Sequence, residues 1–272
     1  MNTYLTHTLS NGLQVVHYPH AGNVSYCGFV VNAGTRDEAV DENGLAHLVE
    51  HTIFKGTARR RAYHIRNRME SVGGELNAFT SKEETVIQTT SLTADFSKAV
   101  ELVADILFHS VFPRAEVEKE KEVIFDEINM YKDIPSERIY GDFEDLIFAG
   151  SSLGHNILGN KSSLNRLHSP QIKEFINRTY NTDQMVFSVI GNVSEKRFVE
   201  IVERYFGGVA ANPRGFERVA PLQVGQFEKC VSHNTHQALS IIGKRAYGLN
   251  DDERLPLLLL TNMLGGPSSN SV

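Results

Sequence analysis

The stretch Gly44–His51, Gly-Leu-Ala-His-Leu-Val-Glu-His, is the most informative part of this sequence. On an α-helix, residues four apart lie one turn from each other on the same face, so His47 and His51 would both reach one metal ion. Glu50 would place its carboxylate beside that ion. Two imidazoles with a nearby carboxylate that is not a ligand suit a catalytic zinc that activates water. A helix that carries these three residues by chance is the alternative.

A third ligand is expected, because a catalytic zinc usually has three protein ligands and one open position. Residues 114–132 predict one helix, opened by Pro113 and rich in strong helix formers. At about 100° per residue, Glu120 and Glu127 fall beside its apolar stripe and share one side. The sequence therefore offers one carboxylate as a ligand and the other as its support. A buried ion pair with Lys or Arg from another helix is the alternative. The residues of the apolar stripe are Val117, Ile124, Ile128 and Tyr131.

The order His-x-x-Glu-His reverses the common His-Glu-x-x-His motif of metalloproteases. Other segments accompany it in a fixed order along essentially the whole chain. These segments are 34–38, 44–51, 54–57, 73–80 with Glu84 and Thr85, 120–127 and 153–159. Together they resemble the pitrilysin, or insulinase-type, family of zinc metallopeptidases, and more narrowly a short bacterial member that is truncated at its C-terminal end.

The resemblance implies a role for each residue of the predicted site. His47, His51 and Glu127 would bind one Zn²⁺, and Glu120 would support the ligands from behind. Glu50 would act as the general base, taking a proton from the attacking water and passing it to the leaving amine. The predicted activity is that of a zinc endopeptidase that cleaves short or unfolded peptides.

A β-hairpin is predicted from two runs, Glu75–Thr80 and Thr85–Ser91, joined by a polar turn. In the family that this chain resembles, the first of these strands is an edge to which extended substrate pairs. Strand addition of this kind binds peptides mainly through main-chain hydrogen bonds. Asn77, Ala78 and Phe79 are therefore candidate substrate-binding residues, although an ordinary capped edge strand explains them equally well.

The fold class implied by the resemblance is α+β, with a mixed, mostly antiparallel sheet covered by helices and followed by part of a second, similar half. We expect a zinc-binding peptidase domain over 1–212, a linker over 213–224, and an incomplete second domain over 225–272. Periodicity and turn signals predict strands over 6–9, 13–17, 25–32, 185–190 and 236–243. They predict helices over 43–55, 62–72, 95–110, 114–132, 137–149, 169–180, 195–205 and 251–264.

Composition excludes several classes of protein. The 272 residues are 41% hydrophobic and 22% charged, as in ordinary soluble domains. A net charge of -6 argues against nucleic acid as a partner. The cysteines, Cys27 and Cys230, form neither a zinc motif nor a disulfide framework, which favours a reducing compartment. No signal peptide is visible, and the apolar run 255–260 is too short to span a bilayer. We therefore expect a cytoplasmic protein without a membrane partner.

Two other functions stay open at this point. One is a non-catalytic scaffold subunit of the same fold, and the other is a presequence-processing subunit that works with a partner chain. Scaffold members of the family typically lack a histidine or the glutamate of the motif, whereas this chain has all of them, which favours the enzyme. A homodimer or a partner subunit of the same family is possible. In a truncated chain, metal binding should survive better than peptidase activity.

Overall fold

The computed structural model describes residues 4–232 and 237–265. The chain divides into two compact units, Met1–Gln226 and Phe227–Val272, and the break falls close to the end of the predicted linker. The first unit contains the predicted metal site.

The first unit alternates strands and helices in the order expected from the sequence. Its strands are β1 (Leu5–Thr8), β2 (Gln14–Pro19), β3 (Val24–Val31), β4 (Glu75–Thr80), β5 (Thr85–Leu92) and β6 (Met185–Gly191). Its helices are α1 (Leu45–Ile53), α2 (Ala62–Glu70), α3 (Phe96–His109), α4 (Arg114–Lys132), α5 (Pro135–Ile147), α6 (Lys161–Arg166), α7 (Ser169–Thr179) and α8 (Glu195–Phe206). The second unit contributes α9 (Arg254–Gly265).

The strands of the first unit form one mixed sheet in the order β1-β2-β6-β3-β5-β4. Every neighbouring pair is antiparallel except β2 and β6, which are parallel. The predicted α+β class, with a mostly antiparallel sheet and covering helices, is confirmed. Because β4 lies at one end of this order, one side of its backbone has no sheet partner among the residues that the structure describes.

The core lies between one face of the sheet and the helices. Side chains of β3 alternate between the two faces, so Phe29 is fully buried while Tyr26 is half exposed on the other face. The ring of Phe29 lies 5.0 Å from those of Phe187 and Phe206, and 5.9 Å from that of Phe108. Aromatic rings at these separations bury large apolar areas and favour edge-to-face contacts. This cluster joins the centre of the sheet to α3 and α8.

The structure departs from the predicted secondary structure at two places: one helix was missed and one predicted strand is wrong. Helix α6, Lys161–Arg166, was not expected, because six residues are too few to show an amphipathic period. The strand predicted over 236–243 is wrong for residues 237–243, which are not in a strand, whereas His236 lies outside the described residues. A strand needs a partner for its backbone N–H and C=O groups, and the described part of the second unit contains no other strand.

The second unit contains an apolar helix, α9, which begins three residues after the start of the predicted range and ends one residue beyond it. Its leucines are exposed except Leu257, which is half-buried; Leu258, for instance, is 58% exposed and Leu259 66%. Among the residues that the structure describes, none of the helices is both long and apolar enough to cross a bilayer.

Candidate metal centre

Helix α1 is a buried element that turns one narrow face toward α4. Its apolar residues, among them Leu48 and Ile53, are almost inaccessible and pack into the core. His47 and His51 lie on the face toward α4, as the one-turn spacing predicted, and Glu50 beside them contacts Thr80 at the end of β4. The amphipathic pattern thus orients α1 and brings its three polar groups to one place.

The structure brings together the three residues expected to bind metal. Ligand atoms of His47, His51 and Glu127 all lie within 4.8 Å of one another. The Oε2 atom of Glu127 is 3.7 Å from Nε2 of His47 and 3.6 Å from Nε2 of His51. Ligands of a tetrahedral zinc, at about 2.0–2.1 Å from the ion, are about 3.4 Å apart. The donor set therefore fits zinc, and the gaps are too long for good direct hydrogen bonds.

His47 is suited to be a ligand because it stays neutral. Burial, and secondarily the neighbouring His51, lowers the pKa of His47 to about 3. A neutral imidazole keeps a lone pair for a metal ion, whereas a protonated one does not. The Nδ1 atom of His47 is buried and has no hydrogen-bond partner among the described residues.

Glu120 contacts the site from the far side of His51. One carboxylate oxygen lies 3.3 Å from Nδ1 of His51, and the other lies 2.7 Å from Nζ of Lys55. A histidine that binds metal through one ring nitrogen commonly donates the other N–H to a carboxylate, which fixes the orientation of the ring. Sequence reasoning missed Lys55 as the cation that makes this carboxylate tolerable in a partly buried position. Its spacing of four residues from His51 was the available signal.

Glu50 lies at the edge of the cleft beside the candidate metal ligands. Burial is the main cause that raises the pKa of Glu50 above its usual value, and the negative Glu127 adds to it. Thr80, at the end of β4, and His51 act in the opposite direction. A higher pKa makes a carboxylate a stronger base, as a general base near neutral pH requires.

A cleft of about 310 Å³ opens beside Glu50 and His51. Two of the three predicted substrate residues, Asn77 and Ala78, line it, whereas Phe79 does not and is 44% exposed. The N–H of Ala78 donates to Oδ1 of Asn77 at 2.9 Å, so this side chain caps an N–H of the edge strand. The other residues that line the cleft are His51, Glu50, Phe54, Lys55, Ala62, Ile65, Arg66, Met69, Glu70, Leu76 and Glu120.

The C-terminal end of α1 is attached to the end of α3. The hydroxyl of Ser110 donates to the carbonyl of Ile53 at 2.8 Å, which satisfies one of the free carbonyls of the last turn. In the loop that follows, Thr57 and Arg60 both donate to the buried carboxylate of Asp105, at 2.8 and 2.6 Å. Sequence reasoning recognised this loop as a motif but assigned it no contact.

The N-terminal end of α1 packs against the loop 153–159. Gly44 precedes the helix with a φ of 92°, a left-handed conformation that glycine adopts readily. A Cβ atom on Gly44 would lie only 2.9 Å from both the Cα of Gly159 and the carbonyl oxygen of Leu158. The two glycines therefore let two backbones meet directly at the start of α1.

Comparison with known proteins agrees with this architecture. Residues 15–161 match the family model described as insulinase (peptidase family M16), and residues 166–272 match that of the peptidase M16 inactive domain. The chain belongs to peptidase family M16, the insulinase or pitrilysin family, which confirms the resemblance seen in the sequence motifs.

Several curated proteins are similar over nearly the whole chain. The zinc protease YmxG of Bacillus subtilis, described as uncharacterized, is 32% identical over 97% of this chain and 64% of its own length. The zinc protease Rv2782c of Mycobacterium tuberculosis, described likewise, is 34% identical over 97% of this chain and 61% of its own. The mitochondrial-processing peptidase subunit beta of Lentinula edodes is 31% identical over 95% and 57%. The chain thus spans 57–64% of the length of these relatives.

Solved structures show the same fold. The periplasmic protease PqqL of Escherichia coli is 26% identical, with a TM-score of 0.75 over 81% of this chain and 25% of its own. A protease from Helicobacter pylori also has a TM-score of 0.75, over 82% of this chain and 54% of its own, at 24% identity. The second likeness supports the fold alone.

Replacing Gly44 with Ala should destabilise the first unit more than the same change at Gly73. Both residues have positive φ, 92° and 68°, and strain of about 1–2 kcal/mol is expected for each alanine. Of these two glycines, only Gly44 has backbone atoms within 3 Å of the added Cβ, and nothing lies within 4 Å at Gly73. We expect a further loss of about 1–3 kcal/mol at Gly44 in urea unfolding. Equal losses for the two variants would contradict the close packing at the start of α1.

Proposed function

We propose that the protein is a zinc-dependent endopeptidase that hydrolyses short, extended or unfolded peptides. The observation that carries the proposal is the meeting of His47, His51 and Glu127 beside the carboxylate of Glu50, at a cleft bordered by the edge strand β4. Membership of a peptidase family, and relatives named zinc proteases, support it. The chain spans 57–64% of the length of the relatives compared above, so the activity is proposed for the whole protein.

His47, His51 and Glu127 would hold the zinc ion, and Glu120 would fix the ring of His51 through Nδ1. Bound zinc supplies a positive charge that lowers the pKa of a coordinated water and polarises a peptide carbonyl. Glu50 would take the proton of the attacking water and then deliver it to the leaving amine. Burial of Glu50 favours both tasks, because it raises the pKa of the carboxyl group toward the pH at which the enzyme works.

The substrate would lie along β4, whose outer side has no sheet partner in the described part of the chain. An extended peptide added to this edge would be bound by main-chain hydrogen bonds, which place few demands on its side chains. The side chain of Asn77 would first have to release the N–H of Ala78. Apolar residues of the cleft, among them Phe54 and Met69, offer a place for one side chain of the peptide beside the metal ligands.

A presequence-processing subunit that works with a partner chain is a second candidate. Its support is the similarity to mitochondrial-processing peptidase subunit beta of Lentinula edodes and of Saccharomyces cerevisiae, at 31% and 33% identity. Both candidates use the same metal site, and they differ in whether cleavage needs a second chain. Assays with and without a partner subunit of the same family distinguish them, and a homodimer is the alternative assembly.

Purified protein supplied with zinc should retain about one ion per chain after dialysis, measured by elemental analysis. Glu127→Gln should lose the ion, because a neutral amide is a poor zinc ligand. Glu120→Gln should weaken zinc binding by about 10–100-fold through loss of the contact with His51. Glu122→Gln is the matched control on the exposed side of α4 and should bind zinc as the wild type does. Full retention of zinc by Glu127→Gln would contradict the assigned ligands.

Glu50→Gln should retain zinc and lose hydrolysis, because the amide cannot accept a proton from water. The expected fall in the rate of cleavage of an internally quenched peptide is about 10²–10⁴-fold. His47→Ala should lose both zinc and cleavage. Zinc content therefore distinguishes loss of the general base from loss of a metal ligand. A Glu50→Gln variant that cleaves the peptide at the wild-type rate would refute the assigned base.

A further inference from the structure

Helix α1 lacks a side-chain cap of its own. Its N-cap residue is Gly44, which has no side chain, and its first turn carries no acidic residue. The first N–H groups of any helix have no acceptor within the helix, and they are costly to bury without one. Because the first turn of α1 is buried, these groups need an acceptor from elsewhere in the chain.

Glu38 provides that acceptor from the preceding loop. Its Oε1 accepts the N–H of Ala46 at 2.9 Å, and its Oε2 accepts the N–H of Gly44 at 3.2 Å. Glu38 is only 6% exposed, so water does not compete for these bonds. Burial raises the pKa of Glu38 to about 8, and the N–H groups of Ala46 and Gly44 act in the opposite direction.

The loop that carries Glu38 is itself fixed to the turn between β4 and β5. The N–H of Thr35 donates to the carbonyl of Ser81 at 3.3 Å, and that of Arg36 donates to the carbonyl of Lys82 at 2.7 Å. The carboxylate of Asp37 accepts the N–H of Gly34, which closes the short turn before Glu38. The β4–β5 turn and the first turn of α1 are therefore connected through one buried side chain.

His47 directly follows Ala46, whose N–H is held by Glu38. Helix α1 is only nine residues long, so a shift of its first turn displaces His47, and Glu50 one turn further on. We propose that Glu38 is a positioning residue, which fixes the metal helix against the β4–β5 turn and so sets the distance between the metal ligands and the substrate strand. The inference rests on the proposed function, because it assigns Glu38 a part in building that site.

The test compares zinc affinity in Glu38→Ala, Glu38→Gln and Glu38→Asp with that of the wild type, by competition with a chelator. Glu42→Ala is the matched control. The carboxylate of Glu42 holds the same loop through Arg178 and the N–H of Ala39, but it does not accept an N–H of α1. Hydrogen exchange at the first turn of α1 is measured on the zinc-free proteins, so that one readout does not depend on the metal.

We expect Glu38→Ala to weaken zinc binding at least tenfold and to lose protection at Gly44 and Ala46. Glu38→Gln keeps one acceptor oxygen and should recover most of the affinity, whereas Glu38→Asp, with a shorter side chain, should be intermediate. Glu42→Ala should stay within threefold of the wild type. In those Glu38 variants whose peptide cleavage is measurable, kcat should fall while KM changes little, because Glu38 does not line the cleft.

Two results would overturn the inference alone: wild-type zinc affinity in Glu38→Ala, or an equal loss in Glu42→Ala. If Glu38→Ala does not fold, the Gln and Asp variants decide, and wild-type affinity in both of them counts against the inference. If the His47→Ala variant instead binds zinc as tightly as the wild type, the proposed function is refuted. The two failures are therefore distinguishable.

Discussion

The packing of α1 against α4 is the constraint on which the rest of the site depends. It brings two histidines and a glutamate, from segments 76 residues apart in the chain, to within 4.8 Å of one another. Two further carboxylates, of Glu50 and Glu120, lie close to the same point, and their mutual repulsion has to be offset. Lys55 offsets part of it through its ion pair with Glu120, and a bound divalent cation would offset the rest.

Much of this site could be predicted because helical spacing is a local property. His47, Glu50 and His51 follow from the period of α1, and the inward sides of Glu120 and Glu127 follow from the stripe of α4. The four-residue spacing between His51 and Lys55 was available, yet it does not show which carboxylate the lysine meets. The contacts of Glu38 could not be predicted, because they depend on how a loop folds back onto a helix.

The same distinction applies to the fold. The positions of strands and helices agree closely with those predicted from local sequence patterns, as for β3 and α8. The parallel pairing of β2 with β6 joins segments far apart in sequence, and local periodicity carries no information about it. Tyr131 shows a smaller limit of the pattern, since it continues the apolar stripe of α4 yet is 39% exposed near the end of the helix. The strand predicted over 236–243 fails for residues 237–243, because a strand depends on a partner that a local pattern does not specify.

The central claim is that α1 and α4 together form a zinc site. Its most direct test is anomalous diffraction at the zinc absorption edge, from crystals of the protein grown with zinc. The account predicts one strong peak at about 2.0–2.2 Å from Nε2 of His47, Nε2 of His51 and a carboxylate oxygen of Glu127. A peak bound elsewhere, or none at full zinc supply, would contradict it.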